Sequence, residues 1–167
     1  MRALTTAAKI DDPKTLFERW FSNAIARLEK MENADGGTAG MMIVLPLYER
    51  YIHILTATKK GKFYENMATD LKLKDGGEAE IFWKTFRHGF CHTGMPFERA
   101  LDGKALPRVR FSGDFSWRPE LRTESGDQLI CLDPWKFIHH VMRKYEDDPT
   151  LLRQHPDAPL LAIHVFG

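Results

Sequence analysis

The segment Ile81–Pro96, IFWKTFRHGFCHTGMP, sets two imidazoles and a guanidinium into an otherwise apolar stretch. Ile81, Phe82, Thr85, Phe86, Gly89 and Phe90 recur at the spacing of an amphipathic helix, because side chains three and four apart share one helical face. Gly94 and Pro96 form a stop signal, since glycine suits a helix C-cap and proline cannot continue the helix. The segment therefore predicts a buried helix. His88 and His92 fall on one face of it, whereas Arg87, five positions before His92, lies about 140° round an ideal helix. Arg87 and His92 meet if the guanidinium arm bends back, if the helix loosens at Gly89, or if a second subunit supplies the missing group. The last is the expectation.

The chain has 167 residues, 43% of them hydrophobic, which suits one domain with a single core. With 24 Lys and Arg against 23 acids, the formal charge is +1. That balance excludes a broadly basic nucleic-acid-binding surface, so any phosphate contact has to rest on local charge in a cleft. Cys91 and Cys131 cannot make a framework of several disulfides, and the opening residues lack an apolar leader; a cytoplasmic setting is expected. The apolar run Met41–Leu47 is broken by Pro46 and falls far below the ~20 residues of a membrane span, so no membrane association is expected.

Met1–Ile10 lacks periodicity and reads as a loose arm. Asp11 or Asp12 caps a helix opened by Pro13, with Leu16, Phe17, Trp20, Phe21, Ala24, Ile25, Leu28 and Met31 as its apolar stripe. Asn33–Gly40 reads as a loop, Met41–Thr58 as a helix that Pro46 either kinks or starts, and Phe63–Leu71 as a shorter helix. A turn at Asp75, Gly76 and Gly77 precedes the motif helix. Beyond Pro96, Val109, Phe111, Phe115 and Trp117 alternate as in a strand; Gln128–Leu132 is a second strand, and Arg118–Asp127 joins the two as a long hairpin loop. Asp133 and Pro134 open a last long helix carrying Phe137, Ile138, Val141, Met142 and Tyr145, followed by one further turn at Asp148 and Pro149. Leu160–Phe166 is either a third short strand or packed coil. The expected fold is mainly α: an antiparallel bundle of four to five helices with a small β-hairpin between the motif helix and the last long helix.

Arg87, the polar His88 directly after it, three more residues and His92, all late on a helix of a small helical domain, resemble the signature of the HEPN superfamily. The resemblance covers Ile81–Gly94 and is architectural elsewhere. It implies a helical bundle that dimerises, bringing two motifs together in a cleft, and a metal-independent endoribonuclease of the toxin or defence-effector kind. Arg87, His88 and His92 are then the catalytic residues, RNA the substrate, a homodimer the working unit and an antitoxin protein a further partner. No cofactor or metal is implied, because the nucleophile is the 2′-hydroxyl of the RNA itself.

Other readings stand beside this one. Arg87 could pair with a helix carboxylate such as Glu80 while the histidines bond core carbonyls, in a non-catalytic module that binds a nucleotide or a protein and uses the polar helix for dimer packing. A coincidental motif predicts a monomer with Arg87 facing solvent or an intrachain acid. Arg108 and Arg110, with Arg118 and Arg122 among Phe111, Phe115 and Trp117, are candidate substrate-binding residues for single-stranded RNA, or else one wet face of a sheet. His139 and His140 point about 100° apart on a helix and cannot chelate one ion. Cys91 reads as a small buried thiol.

Overall fold

A computed structural model describes residues 12–32, 35–59, 61–90, 96 and 105–154. The architecture is mainly helical and bundle-like, with one small three-stranded sheet. Helix α1 (Pro13–Phe17) starts where Asp12 accepts the Thr15 amide, and it runs through a π-helical turn, Glu18–Ser22, into α2 (Asn23–Leu28). The apolar stripe is only partly buried: Phe17 and Ile25 enter the core, whereas Trp20 is 38% and Met31 51% exposed.

Helix α3 (Asp35–Lys59) is the longest and contains Pro46 in its interior. It absorbs most of the loop expected at Asn33–Gly40. Gly36 and Gly40 explain why: a Cβ on Gly36 would lie 2.1 Å from the Leu28 carbonyl oxygen, and one on Gly40 would lie 2.6 Å from Ile138 Cδ1. These glycines serve close packing of the first turns of α3, and composition alone reads the same residues as turn formers. Helix α4 (Phe63–Leu71) buries Met67 and Leu71, and Lys72 ends it in the left-handed conformation at φ 58°.

Asp75 is an N-cap and Gly76 a first helical residue, so the expected turn is the start of α5 (Gly76–Trp83). The chain continues helically through a π-turn, Lys84–His88, to Phe90. Phe82, Thr85, Phe86 and Phe90 are buried as their spacing predicts.

The sheet departs from the expected hairpin. Strands β1 (Arg108–Phe111), β2 (Glu120–Glu124) and β3 (Asp127–Leu132) lie in the order β1-β3-β2. The hairpin is β2–β3, and β1 pairs with β3 in parallel, Val109 opposite Ile130. Most of the expected loop 118–127 is thus strand. Positive φ at Ser125 (52°) and Gly126 (90°) makes the two-residue turn whose twist suits adjacent antiparallel strands. Phe115 and Trp117 lie outside the strands, in the connection between β1 and β2. On β3, Ile130 and Leu132 face the helices with Val109, Phe111 and Leu121.

Helix α6 (Pro134–Asp147) is capped by Asp133 and buries Phe137, Ile138, Val141, Met142 and Tyr145, all as the stripe predicts. A 3₁₀ turn, Pro149–Leu152, follows. The Tyr145 hydroxyl donates to the Leu47 carbonyl at 2.6 Å, and Arg50 Nη1 donates to the Leu152 carbonyl at 2.8 Å, which fastens the end of α6 and the turn to α3. The arm 1–10 and the tail 160–166 lie outside the described residues. Among the described residues no helix is long and apolar enough to cross a membrane.

Candidate functional site

The π-turn after α5 carries the first half of the motif. Its buried side, Thr85 and Phe86, faces the core, and the next two positions, Arg87 and His88, come out half-buried. Arg87 meets Glu49 of α3: Nε donates to Oε2 at 3.0 Å, and Nη2 lies 2.9 Å from the same oxygen. The two side chains are 22% and 31% exposed, so water screens the pair only in part. Glu80, the carboxylate expected from the sequence, is taken by Lys84 at 3.0 Å. One turn beyond Glu49, His53 packs its ring against Phe63 at 4.7 Å, and Phe63 meets Trp83. Burial pushes the Tyr64 hydroxyl up, and the charges of Glu80 and Glu49 add to that shift against Lys84. His92 and Cys91 lie outside the described residues.

Nothing in the local pattern pointed to Glu49. It sits 38 residues from Arg87, and the only sequence signal was its half-buried phase on α3.

Arg108 and Arg110 lie far along the chain on β1, on the outer face of the sheet. Arg108 pairs with Asp127 at 3.4 Å and Arg110 with Glu124 at 2.8 Å. Between them and Leu129 is a groove of about 340 Å³. Arg122 pairs with Glu120 and stands over the Phe115 ring, and Arg118 stands over Trp117. Each of these four arginines therefore already has an acid or an aromatic ring from its own chain. The groove is charge-balanced rather than cationic. Beneath it Cys131 is buried, and burial pushes its thiol up.

A third polar cluster joins α3, α4 and α6 around Asp70. Oδ1 accepts from Lys144 Nζ at 2.7 Å; Oδ2 accepts from the Tyr48 hydroxyl at 2.9 Å and lies 3.4 Å from His140 Nε2. Asp70 and Lys144 are each 13% exposed. Burial alone would raise the Asp70 carboxyl, but hydrogen bonds from His140 and Lys144, the Lys144 charge and Tyr48 outweigh it and hold the carboxyl below its ordinary value. Tyr48 moves the other way, well up, through burial and the Asp70 charge. Lys144 Nζ also sits 4.2 Å from the centre of the Tyr51 ring. Only the His140–Lys144 spacing on one helix face hinted at this cluster. Its neighbour His139 turns elsewhere, to Glu29 at 2.6 Å. Among the described residues no three His, Cys, Asp or Glu side chains converge as a metal site.

Set against known protein families, curated proteins and solved structures, the chain matches none of them.

Proposed function

We propose that the chain is a HEPN-like ribonuclease that cleaves RNA without a metal, working as a homodimer whose two motifs share a cleft. Arg87 binds phosphate, His92 acts as acid or base, and His88 orients or assists. One imidazole takes the 2′-hydroxyl proton, the freed oxygen attacks the adjacent phosphorus, and the 5′-oxygen leaves with a proton from an acid. The products are a 2′,3′-cyclic phosphate and a 5′-hydroxyl end. Arg87 steadies the charge on the phosphate oxygens.

The supporting observation is the placement of Arg87 on a π-turn, with Nε and Nη2 both on Glu49. A guanidinium held by a carboxylate keeps one orientation, which a phosphate-binding group needs.

The same carboxylate also favours the other two readings, a non-catalytic binding module and a coincidental motif, since Arg87 meets an acid of its own chain. Glu49 neutralises Arg87, and Asp127, Glu124 and Glu120 neutralise the sheet arginines, so RNA phosphate has to compete with acids at each of these positions. Incubation of the purified protein with total RNA in EDTA separates the readings. Cleavage to cyclic-phosphate ends, lost in His92→Ala and in Arg87→Ala with folding and dimerisation intact, supports the nuclease; binding without cleavage supports the module. An antitoxin partner would be recovered as a stable complex that suppresses the cleavage.

A further inference from the structure

We propose that the stack of Trp117 on His140 is a proton-operated latch that holds the β1–β2 connection against the helical layer. The two rings lie nearly parallel, 12° apart in plane, with centroids 3.7 Å apart. On its other side His140 reaches Asp70 through Nε2. The imidazole thus bridges an indole face and a carboxylate, both of which interact more strongly with a cation than with a neutral ring. Imidazole is also the side chain whose charge ordinarily changes between about pH 5 and pH 8.

The charged and titratable groups around His140 set the sign. From α4 comes Asp70, an anion throughout that range because its carboxyl is held low. From α6, Lys144 stands one turn on, its ammonium directed into Asp70 at 2.7 Å. Lys136, one turn back, is engaged with the Gly113 and Phe115 carbonyls and with Asp133. From α3, Tyr48 shares the Asp70 carboxylate and Tyr51 underlies Lys144. From the connection itself come Trp117 and Arg118, whose guanidinium lies 5.2 Å from the indole centre. The repelling cations each have a partner, whereas the carboxylate and the indole face touch the imidazole directly. Protonation therefore tightens the latch, and raising the pH through the imidazole range loosens it.

The rest of the connection is tied to the start of α6 by the Asp133 amide on the Ser116 carbonyl and by Lys136. Loosening thus acts on Trp117 and Arg118 and leaves the strands in place.

Indole N–H correlation spectra recorded between about pH 5 and pH 8 test this, since the chain has only 4 Trp and Trp117→Phe identifies the relevant signal. The Trp117 signal should move along a one-proton curve with the midpoint of the His140 ring signals, and the movement should vanish in His140→Gln. Trp135, 6.5 Å from His139, should keep its own pH response in that variant. A Trp117 signal that ignores pH, that follows a midpoint other than that of His140 in the wild type, or that responds unchanged in His140→Gln overturns the proposal.

Discussion

Asp70→Asn removes one negative charge from a carboxylate that serves three partners, and the geometry says how much that costs. Oδ1 faces Lys144 and Oδ2 faces Tyr48 and His140. An asparagine can turn its oxygen to only one of these sides, so its amide protons meet either an ammonium or two groups that have been donating. The least damaging arrangement keeps Lys144 on the amide oxygen and leaves a neutral dipole opposite a cation that is only 13% exposed. A charged hydrogen bond is worth about 1.5–3 kcal/mol, and an uncompensated buried charge costs more. We expect a loss of about 2–3 kcal/mol. For a chain of this size that lowers the melting temperature by about 4–12 °C. Urea denaturation is the assay, with the midpoint falling and the slope unchanged if only stability is affected. Asp70→Asn with Lys144→Met should recover part of the loss, because the stranded ammonium is gone. A single variant within about 0.5 kcal/mol of wild type would refute the view that Asp70 organises this junction.

The same carboxyl gives an acid signature: its folded-state value is depressed from 3.8, so its stabilisation is complete above that value and is lost as pH falls below it towards the folded-state value. Acid unfolding should therefore shift to higher pH in Asp70→Asn, read by far-UV circular dichroism. Gly36→Ala drives a methyl into the Leu28 backbone carbonyl and should cost about 1–3 kcal/mol by thermal melting, far more than an exposed helical glycine, where alanine stabilises. Tyr145→Phe deletes the buried hydroxyl that donates to Leu47 and should cost about 1–2 kcal/mol in urea. For the candidate site, a double-mutant cycle between Glu49→Gln and Arg87→Met should show a coupling of about 1 kcal/mol, intermediate between surface and buried pairs; additivity would place the pair with ordinary surface contacts.

Sequence patterning alone carried the helices a long way. Asp12 before Pro13 and Asp133 before Pro134 cap helices as their types require. The stripes on α6 and on the motif segment are buried almost residue for residue. These features depend on neighbours within a few positions, so their signals lie close together in the chain. Gly36 and Gly40 misled because a glycine chosen for close packing looks the same as one chosen for a turn. Glu120, Arg122 and Glu124 hid a strand because their charges form the wet face of a sheet whose other face is apolar.

What lies within a few residues, then, was decided by the sequence on its own: the caps, the helical faces, the place of Arg87 late on a buried helix. Tertiary structure alone decided that Arg87 meets Glu49 rather than Glu80, that β3 lies between its neighbours, and that Asp70 gathers His140, Lys144 and Tyr48 from 70, 74 and 22 residues away. The physical reason is that capping and periodicity are set by bonds along the backbone, whereas a charge takes whichever partner the packing of helices brings within a few ångströms, and no spacing along the chain encodes that distance.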